Sequence, residues 1–232
     1  MQYFAPLIRK ERDLTPDEHA AEMAAYETFH AKVLPAIRGG DALLPAATAV
    51  RITGGPDAPT VTDGPFAETA EVAGGYYVFE AENLDEALAF ARDIPAAKHG
   101  AVEVWPIYGS FNPRKPSNGN QWLALLLEPP ASAFAPGTPE WQTVAARHGE
   151  FAAAAGGHVI GGAALHEPST ATTVKVRDGE TIITDGPYVE SAEVANGFYV
   201  LSAADRDEAV KIASTIPASA VHLRQQAGVS GL

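Results

Sequence analysis

The stretch TDGPFAETAEVAGGYYV at residues 62–78 returns as TDGPYVESAEVANGFYV at residues 184–200, with every residue displaced by 122 positions. This period is far longer than the roughly 20 to 50 residues of solenoid repeats, and it suits a small domain. The sequence therefore predicts a tandem duplication. Copy one spans residues 1–110, a Pro/Gly-rich linker spans 111–120, and copy two spans 121–232.

Outside the repeated stretch, each copy begins with the same two signals. Apolar runs at 2–8 and 121–127 predict buried first strands. A threonine followed by proline and an acidic residue then predicts a capped helix start, at Thr15 in copy one and at Thr138 in copy two. The shared signals extend the duplication to nearly the whole chain.

The middle of each copy predicts a turn and a hairpin. The Gly-Gly pairs at 39–40 and 161–162 are typical of a turn that leads into a strand. In copy two, residues 173–177 alternate apolar and polar side chains, and Asp178-Gly179 makes a tight turn before the returning strand. An aromatic strand, a second helix and a last strand follow in both copies. The order β-α-β-hairpin-β-α-β is ferredoxin-like, which predicts the α+β class.

The doubled motif, in this order of elements, resembles the DGPF-motif branch of the YCII-related proteins. In both copies the same series of motifs lies between the hairpin and the second helix: a strand, Asp-Gly-Pro followed by an aromatic residue, Glu-x-x-Glu, and a glycine followed by an aromatic strand. The resemblance implies a ferredoxin-like α+β unit that pairs with a second unit, sheet against sheet, in a dimeric α+β barrel. Because both units lie in one chain here, we expect an intramolecular barrel.

Composition excludes several classes of function. The net charge is −13, so neither nucleic acid nor an anionic membrane surface is an expected partner. The sequence contains no continuous apolar run of about 18 to 20 residues and no secretory signal, which predicts a cytoplasmic protein without a membrane span. The chain has no cysteine, which excludes disulfides, thiolate nucleophiles and cysteine-ligated metals.

Asp63 and Asp185 are the first candidate catalytic residues, because each stands at the same place in the repeated loop. A carboxylate on a turn has free lone pairs and nearby amides that keep it ionised, so it can bind substrate or orient a base. The alternative is that each side chain only closes its own turn ahead of Gly-Pro.

Paired acids and strand tyrosines are candidate ligand-binding residues. Acids three residues apart share a face if the loop forms a helical turn. Such a pair can bind a metal, divide acid and base roles, or remain solvated surface charge. One tyrosine of each aromatic strand enters the core or the cleft. These candidates are Glu68, Glu71, Glu190, Glu193, Tyr77 and Tyr199.

His148 is the third catalytic candidate, as a base working with Asp185 or Asp63. The histidines do not repeat, since His148 aligns with Tyr26 of copy one. We therefore expect the copies to have diverged, so that any chemistry belongs mainly to one of two related clefts. No zinc-binding spacing, phosphate loop or Gly-x-Ser-x-Gly motif occurs, so neither a metal nor a cofactor is predicted.

Three functions fit these residues. The YCII-related proteins are mostly of unknown function, and a His-Asp pair has been suggested in some of them. The first function is a small-molecule lyase or isomerase that works by acid–base catalysis. The second is a non-catalytic ligand-binding or regulatory module, of a kind linked to alternative sigma factors. The third is a structural scaffold. Beyond the internal pair, further homo-oligomers are compatible with the sequence.

Overall fold

The structure is a computed structural model that describes residues 1–64, 71–115, 119–187 and 193–229. Of Glu71, only the backbone is described. Glu68 and Glu190, two of the predicted ligand-binding residues, lie outside the described residues.

In its described residues, copy one has six strands and three helices; their order is the predicted one, with an additional short helix after the second predicted helix. The elements are β1 (Gln2–Lys10), α1 (Pro16–Val33), β2 (Ile37–Ala42), β3 (Val50–Thr53), β4 (Thr60–Asp63), β5 (Glu71–Glu80), α2 (Leu84–Asp93), α3 (Ala96–His99) and β6 (Ala101–Tyr108). Thr15 caps α1 as predicted, because its hydroxyl accepts from the Glu18 amide while the Glu18 side chain accepts from the Thr15 amide.

Copy two repeats this order, with a single short helix after its long central strand. The elements are β7 (Asn120–Glu128), α4 (Pro139–Ala155), β8 (Val159–Leu165), β9 (Thr172–Arg177), β10 (Glu180–Asp185), β11 (Val194–Ala203), α5 (Arg206–Ala213) and β12 (Ala220–Gln225). The predicted hairpin is confirmed, since β9 and β10 pair antiparallel from Thr172↔Asp185 to Arg177↔Glu180.

Each copy forms a four-stranded antiparallel sheet with the ferredoxin-like strand order. In copy one the order is β2-β5-β1-β6, and in copy two it is β8-β11-β7-β12. The first and last strands of each copy are neighbours, as the β-α-β-β-α-β topology requires. The α+β class with ferredoxin-like units is therefore confirmed.

The hairpins extend the sheets of the opposite copies. Strand β3 of copy one pairs with β12 of copy two, and β9 of copy two pairs with β6 of copy one. Val174 of copy two thereby belongs to the core between the sheet and the helices of copy one, while Val50 and Ile52 of copy one belong to that of copy two. Each core between a sheet and its helices is therefore completed by a hairpin from the other half of the chain.

A third apolar cluster fills the space between the two sheets. Phe4 of copy one stacks on Phe198 of copy two, with 4.4 Å between ring centroids. The cluster draws on both copies and consists of Phe4, Leu43, Tyr76, Val78, Trp105, Ile107, Phe111, Leu123, Ile160, Leu165, Ala171, Phe198 and Val200. Because these apolar side chains are removed from water between the two sheets, they make a large favourable contribution to the free energy of folding.

The sheets also touch at both of their edges. Strands β6 and β8 pair through Ile107↔Leu165 and Tyr108↔Ala164. At the other edge a single antiparallel bridge joins Leu43, after β2, to Gln226, after β12. The two sheets are therefore joined by backbone pairs at two places, one on each side of the third cluster.

The two Gly-Gly pairs lie inside strands, so their prediction as turns is wrong. Gly40 belongs to β2 and has a φ of 148°. A Cβ atom there would lie 2.5 Å from the Tyr76 carbonyl oxygen and 2.9 Å from the Tyr77 ring. Close approach of the tyrosine ring to the neighbouring strand thus requires glycine at this position.

No helix in the described part of the chain is long and apolar enough to cross a membrane.

Candidate functional site

The first helix of each copy stands away from its sheet over most of its length. Helix α1 buries only Phe29 and Val33, near its C-terminal end, and α4 buries only Phe151. The earlier turns therefore leave a gap over the sheet. We call the gap in copy one cleft one, with a volume of about 360 Å³, and the gap in copy two cleft two, with a volume of about 190 Å³.

The two clefts are built from equivalent positions that carry different side chains. Cleft one is lined by Leu7, Arg9, Leu14, His19, Glu22, Met23, Tyr26, His30, Asp41, Ala42, Gly74, Gly75, Tyr76, Tyr77, Ala227 and Val229. Cleft two is lined by Leu126, Ser132, Phe134, Trp141, Val144, Ala145, His148, Gly162, Ala163, Ala164, Asn196, Gly197, Phe198 and Tyr199. The expected divergence of the copies is visible in these linings.

A histidine–tyrosine pair lies in cleft one. His30 projects from α1 and its Nε2 is 2.7 Å from the hydroxyl oxygen of Tyr77 on β5. Tyr77 is 5% exposed and is one of the predicted ligand-binding residues. Phe29, next to His30, packs against Tyr77 with 5.4 Å between ring centroids, and this contact anchors the helix beside the strand.

Burial favours the neutral forms of both partners in this pair. It lowers the pKa of His30 below its ordinary 6.5. Burial is also the main reason that the pKa of Tyr77 is raised, with smaller contributions from Tyr26 and Asp41. Tyr26, in the same cleft, has a pKa raised to about 12, again mainly by burial. At neutral pH, His30 is therefore a free base beside a protonated tyrosine hydroxyl.

Asp41 on β2 brings a carboxylate to cleft one and ties it to copy two. The residue is 7% exposed. Its oxygens accept hydrogen bonds from the backbone amides of Gly228, at 3.1 Å, and Val229, at 3.2 Å, just after the last strand of copy two. Nearby, Gln226 donates to the Tyr76 hydroxyl at 2.8 Å. Cleft one is thus completed by the other half of the chain.

Cleft two contains a histidine–tyrosine pair of its own. His148 Nδ1 is 3.1 Å from the hydroxyl oxygen of Tyr199. Burial, aided by Arg147, lowers the pKa of His148 to about 4, and burial raises that of Tyr199 to about 12. The two predicted residues His148 and Tyr199 are therefore brought together by the fold, as a neutral pair.

Asp63 and Asp185 occupy equivalent exposed positions, at the ends of β4 and β10. The Asp63 side chain is 73% exposed and forms an ion pair with Arg206 of copy two. The next backbone amides, of Gly64 and Gly186, donate hydrogen bonds to the carbonyl oxygens of Ala49 and Ala171, at 2.9 and 2.8 Å, beside the ladders of the two hairpins. Neither aspartate lines either cleft, so the fold does not bring them to His148. Their catalytic role stays a prediction.

Of the predicted acids, Glu193 is the one whose side chain is described. It forms an ion pair with Arg51 of copy one, and both side chains are about 30% exposed. This contact links the hairpin of copy one to the start of β11. Glu193 lines neither cleft.

Sequence reasoning missed His30 and Asp41. Tyr26 and His30 are four residues apart in α1, so they share a helix face, and this spacing was the available signal. His30 has no histidine counterpart, because Ala152 stands at the equivalent position. Within the described residues, no cluster of three or more histidine, aspartate or glutamate side chains could hold a metal ion.

Comparison with known proteins gives the family. The model of the YCII-related domain matches the chain twice, over residues 1–110 and 124–224. The chain belongs to the YCII-related family. The double match agrees with the repeat in the sequence.

A relative of this YCII-related protein is an uncharacterized protein of Rhizobium meliloti (strain 1021). It is 42% identical over 67 residues, which are 28% of this chain. The match covers 54% of the relative's own length, about half of that protein. The similarity carries no activity to this chain.

The low pKa of His148 predicts a loss of stability of the YCII-related protein in mild acid. As the pH falls through about 6.5, His148 takes up a proton in the unfolded chain but not in the folded one, down to about pH 4. The unfolded state then binds more protons, so the free energy of unfolding falls. At pH 5 the expected loss due to His148 is about 2 kcal/mol, as an upper value for a partly exposed group.

Urea unfolding at pH 7 and at pH 5 measures this loss. His148→Asn should reduce the difference between the two pH values, whereas the same change at the exposed His99 is the matched control. His222, whose pKa burial also lowers to about 4, contributes with the same sign in both variants. An identical pH dependence of wild type and His148→Asn would contradict the prediction.

Proposed function

We propose that this protein binds a small molecule in cleft one and transfers a proton on it, as a lyase or isomerase does, with His30 as the acid–base residue. The observation that carries the proposal is the 2.7 Å contact of His30 Nε2 with the Tyr77 hydroxyl inside a cleft of about 360 Å³. That volume lies within the roughly 300 to 1,000 Å³ of typical ligand pockets.

The chemistry follows from the neutral state of both groups. If His30 donates its Nε2–H to the Tyr77 oxygen, Nδ1 keeps a lone pair and acts as the base. The Tyr77 O–H then donates to a substrate oxygen and stabilises the negative charge that develops when a neighbouring C–H is deprotonated. The Asp41 carboxylate lines the same cleft and accepts hydrogen bonds from the amides of Gly228 and Val229.

The pairing of the sheets supports a dimeric α+β barrel formed within one chain. Backbone pairing at both edges, through β6–β8 and through Leu43–Gln226, would close the two ferredoxin-like sheets around the third cluster. The doubled Asp-Gly-Pro motif supports a place in the DGPF-motif branch of the family. In such a barrel the segment after the last strand of one copy borders the cleft of the other.

Hydrogen exchange in D₂O tests the proposed activity. The protein is incubated with a panel of small carbonyl compounds that carry an acidic C–H, such as 2-oxo acids, β-keto esters and lactones, and deuterium uptake is followed by NMR. We expect uptake into at least one compound, with a rate that falls about 10²- to 10⁴-fold in His30→Gln. Because the free base is required and its pKa is lowered, the rate should already be level at neutral pH and fall in acid.

His148→Gln is the matched control, since it changes the histidine–tyrosine pair of cleft two, and it should leave the exchange rate unchanged. Asp63→Asn and Asp185→Asn in the same assay test the prediction from the repeat that the two aspartates contribute unequally; because neither lines cleft one, the assignment of His30 does not depend on their result. Exchange that persists in His30→Gln would contradict the assignment of the base. Binding to cleft one without exchange of any compound would favour the alternative function, a ligand-binding module without turnover.

A further inference from the structure

Cleft two differs from cleft one in the charge of its walls. At three equivalent positions the side chains differ between the clefts. His19, Glu22 and Asp41 of cleft one are replaced, in that order, by Trp141, Val144 and Ala163 in cleft two. No aspartate, glutamate, lysine or arginine stands among the described residues that line cleft two. The remaining wall is largely aromatic or aliphatic, so a charged ligand would lose its hydration there without an oppositely charged side chain in the lining. Arg147, which lowers the pKa of His148, is exposed and does not line the cleft.

The aromatic wall is held in place by copy one. The ring of Trp141 on α4 meets Tyr108, from the end of β6, edge to face with 4.8 Å between centroids. Tyr108, outside the lining of the cleft, is 41% exposed, and Phe134, which lines the cleft, is 37% exposed. Large apolar side chains left accessible beside a concave, apolar wall are typical of a binding site.

The polar side chains that line cleft two are Ser132, His148, Asn196 and Tyr199, none of them an acid or a permanently charged base. His148 Nδ1 contacts the Tyr199 hydroxyl at 3.1 Å. Its Nε2 forms no hydrogen bond with the residues that the structure describes. Because the ring is neutral at neutral pH, it offers a ligand a single donor or acceptor and no charge.

The volume limits the size of the occupant. An apolar cavity of about 150 Å³ holds one benzene molecule. Cleft two, at about 190 Å³, accommodates one substituted ring and not a drug-sized ligand.

We propose that cleft two is a second binding site, which takes a small uncharged aromatic molecule that carries one hydrogen-bonding group. The ring would pack against Trp141, and its polar group would bond to His148. This site is separate from the acid–base site proposed in cleft one and does not depend on it.

Benzamide and benzoate test the proposal, because they have nearly the same shape and differ in charge. Binding is followed by the indole N–H signal of Trp141 in ¹H–¹⁵N spectra, assigned with Trp141→Phe. For benzamide we expect a dissociation constant on the order of 1 mM, as suits a ligand of this size. Benzoate should bind at least about tenfold more weakly, since its charge is not compensated.

Two variants test whether benzamide binds in cleft two. Val144→Glu puts the residue of cleft one into cleft two at a partly exposed helix position, and it should weaken benzamide binding about tenfold or more. Glu22→Val, the reciprocal change in cleft one, is the matched control and should leave benzamide binding unchanged. His30→Gln should also leave it unchanged, which separates this result from the test of the proposed activity.

The proposal is overturned if benzamide does not shift the Trp141 signal up to about 20 mM, far above the expected dissociation constant. It is also overturned if benzoate binds equally well, or if Val144→Glu binds benzamide as the wild type does. Melting temperatures of both variants show whether a loss of binding reflects a loss of fold, and in that case the wild-type comparison of benzamide with benzoate decides.

Discussion

Phe4→Ala is expected to lower the free energy of unfolding by about 4 kcal/mol and to destabilise both copies together. Phe4 is 1% exposed and stacks on Phe198 of the other copy. Its removal leaves a cavity between two sheets whose strands can close it only in part. Because the cluster joins both copies, we expect one cooperative urea transition at a lower midpoint, identical by far-UV circular dichroism and tryptophan fluorescence.

Phe134→Ala is the matched control for this prediction. The chemical change is the same, but Phe134 is 37% exposed, so its removal should have a much smaller effect on the midpoint. Two separate transitions, of which Phe4→Ala shifts only one, would show that the copies unfold as independent domains and would contradict the prediction.

Residues 1–110 expressed alone are expected not to form a stable folded monomer. Without copy two, the core of copy one lacks Val174, which is fully buried in the whole chain. The face of the copy-one sheet that carries Phe4, Val78 and Trp105 also loses its cover. At about 25 cal/mol per Å², the apolar area so exposed amounts to several kcal/mol, which is comparable to the stability of a small domain.

Light scattering and circular dichroism of this fragment measure the outcome. We expect either an unfolded chain or a self-associated one in which a second copy replaces copy two, and a folded 1:1 complex when residues 121–232 are added. The control is the full chain cut within residues 116–118 after folding, which should remain one folded particle. A monomeric fragment that unfolds cooperatively would contradict the prediction.

Part of the candidate site was predictable because its signals are local. Tyr77 and Tyr199 follow from the alternation of faces along an aromatic strand, and both lie in the clefts. His148 was found as a single histidine on the first helix of copy two. His30 was not found, because it was compared with the equivalent residue of copy two, which is Ala152. Its counterpart in the other cleft, His148, is equivalent to Tyr26, one helical turn before His30.

Asp63 and Asp185 show the limit of reasoning from repetition. They stand at equivalent turns in the repeated loop, and the structure places both at exposed strand ends outside the described walls of the clefts. The carboxylate that does line a cleft, Asp41, is replaced by Ala163 in copy two. A position that differs between the copies therefore contributes to cleft one, whereas the repeated aspartates lie at the surface.

The sequence by itself determined the duplication, the order of the strands and helices, the capped start of α1 and the hairpin of copy two, because each of these depends on residues a few positions apart. Only the tertiary structure decided which copy each hairpin joins. Both copies end in similar strands, so pairing within a copy and pairing between copies satisfy the same local pattern. The choice rests on contacts such as Val102↔Val174 and Ile52↔Val221, between residues far apart in the chain.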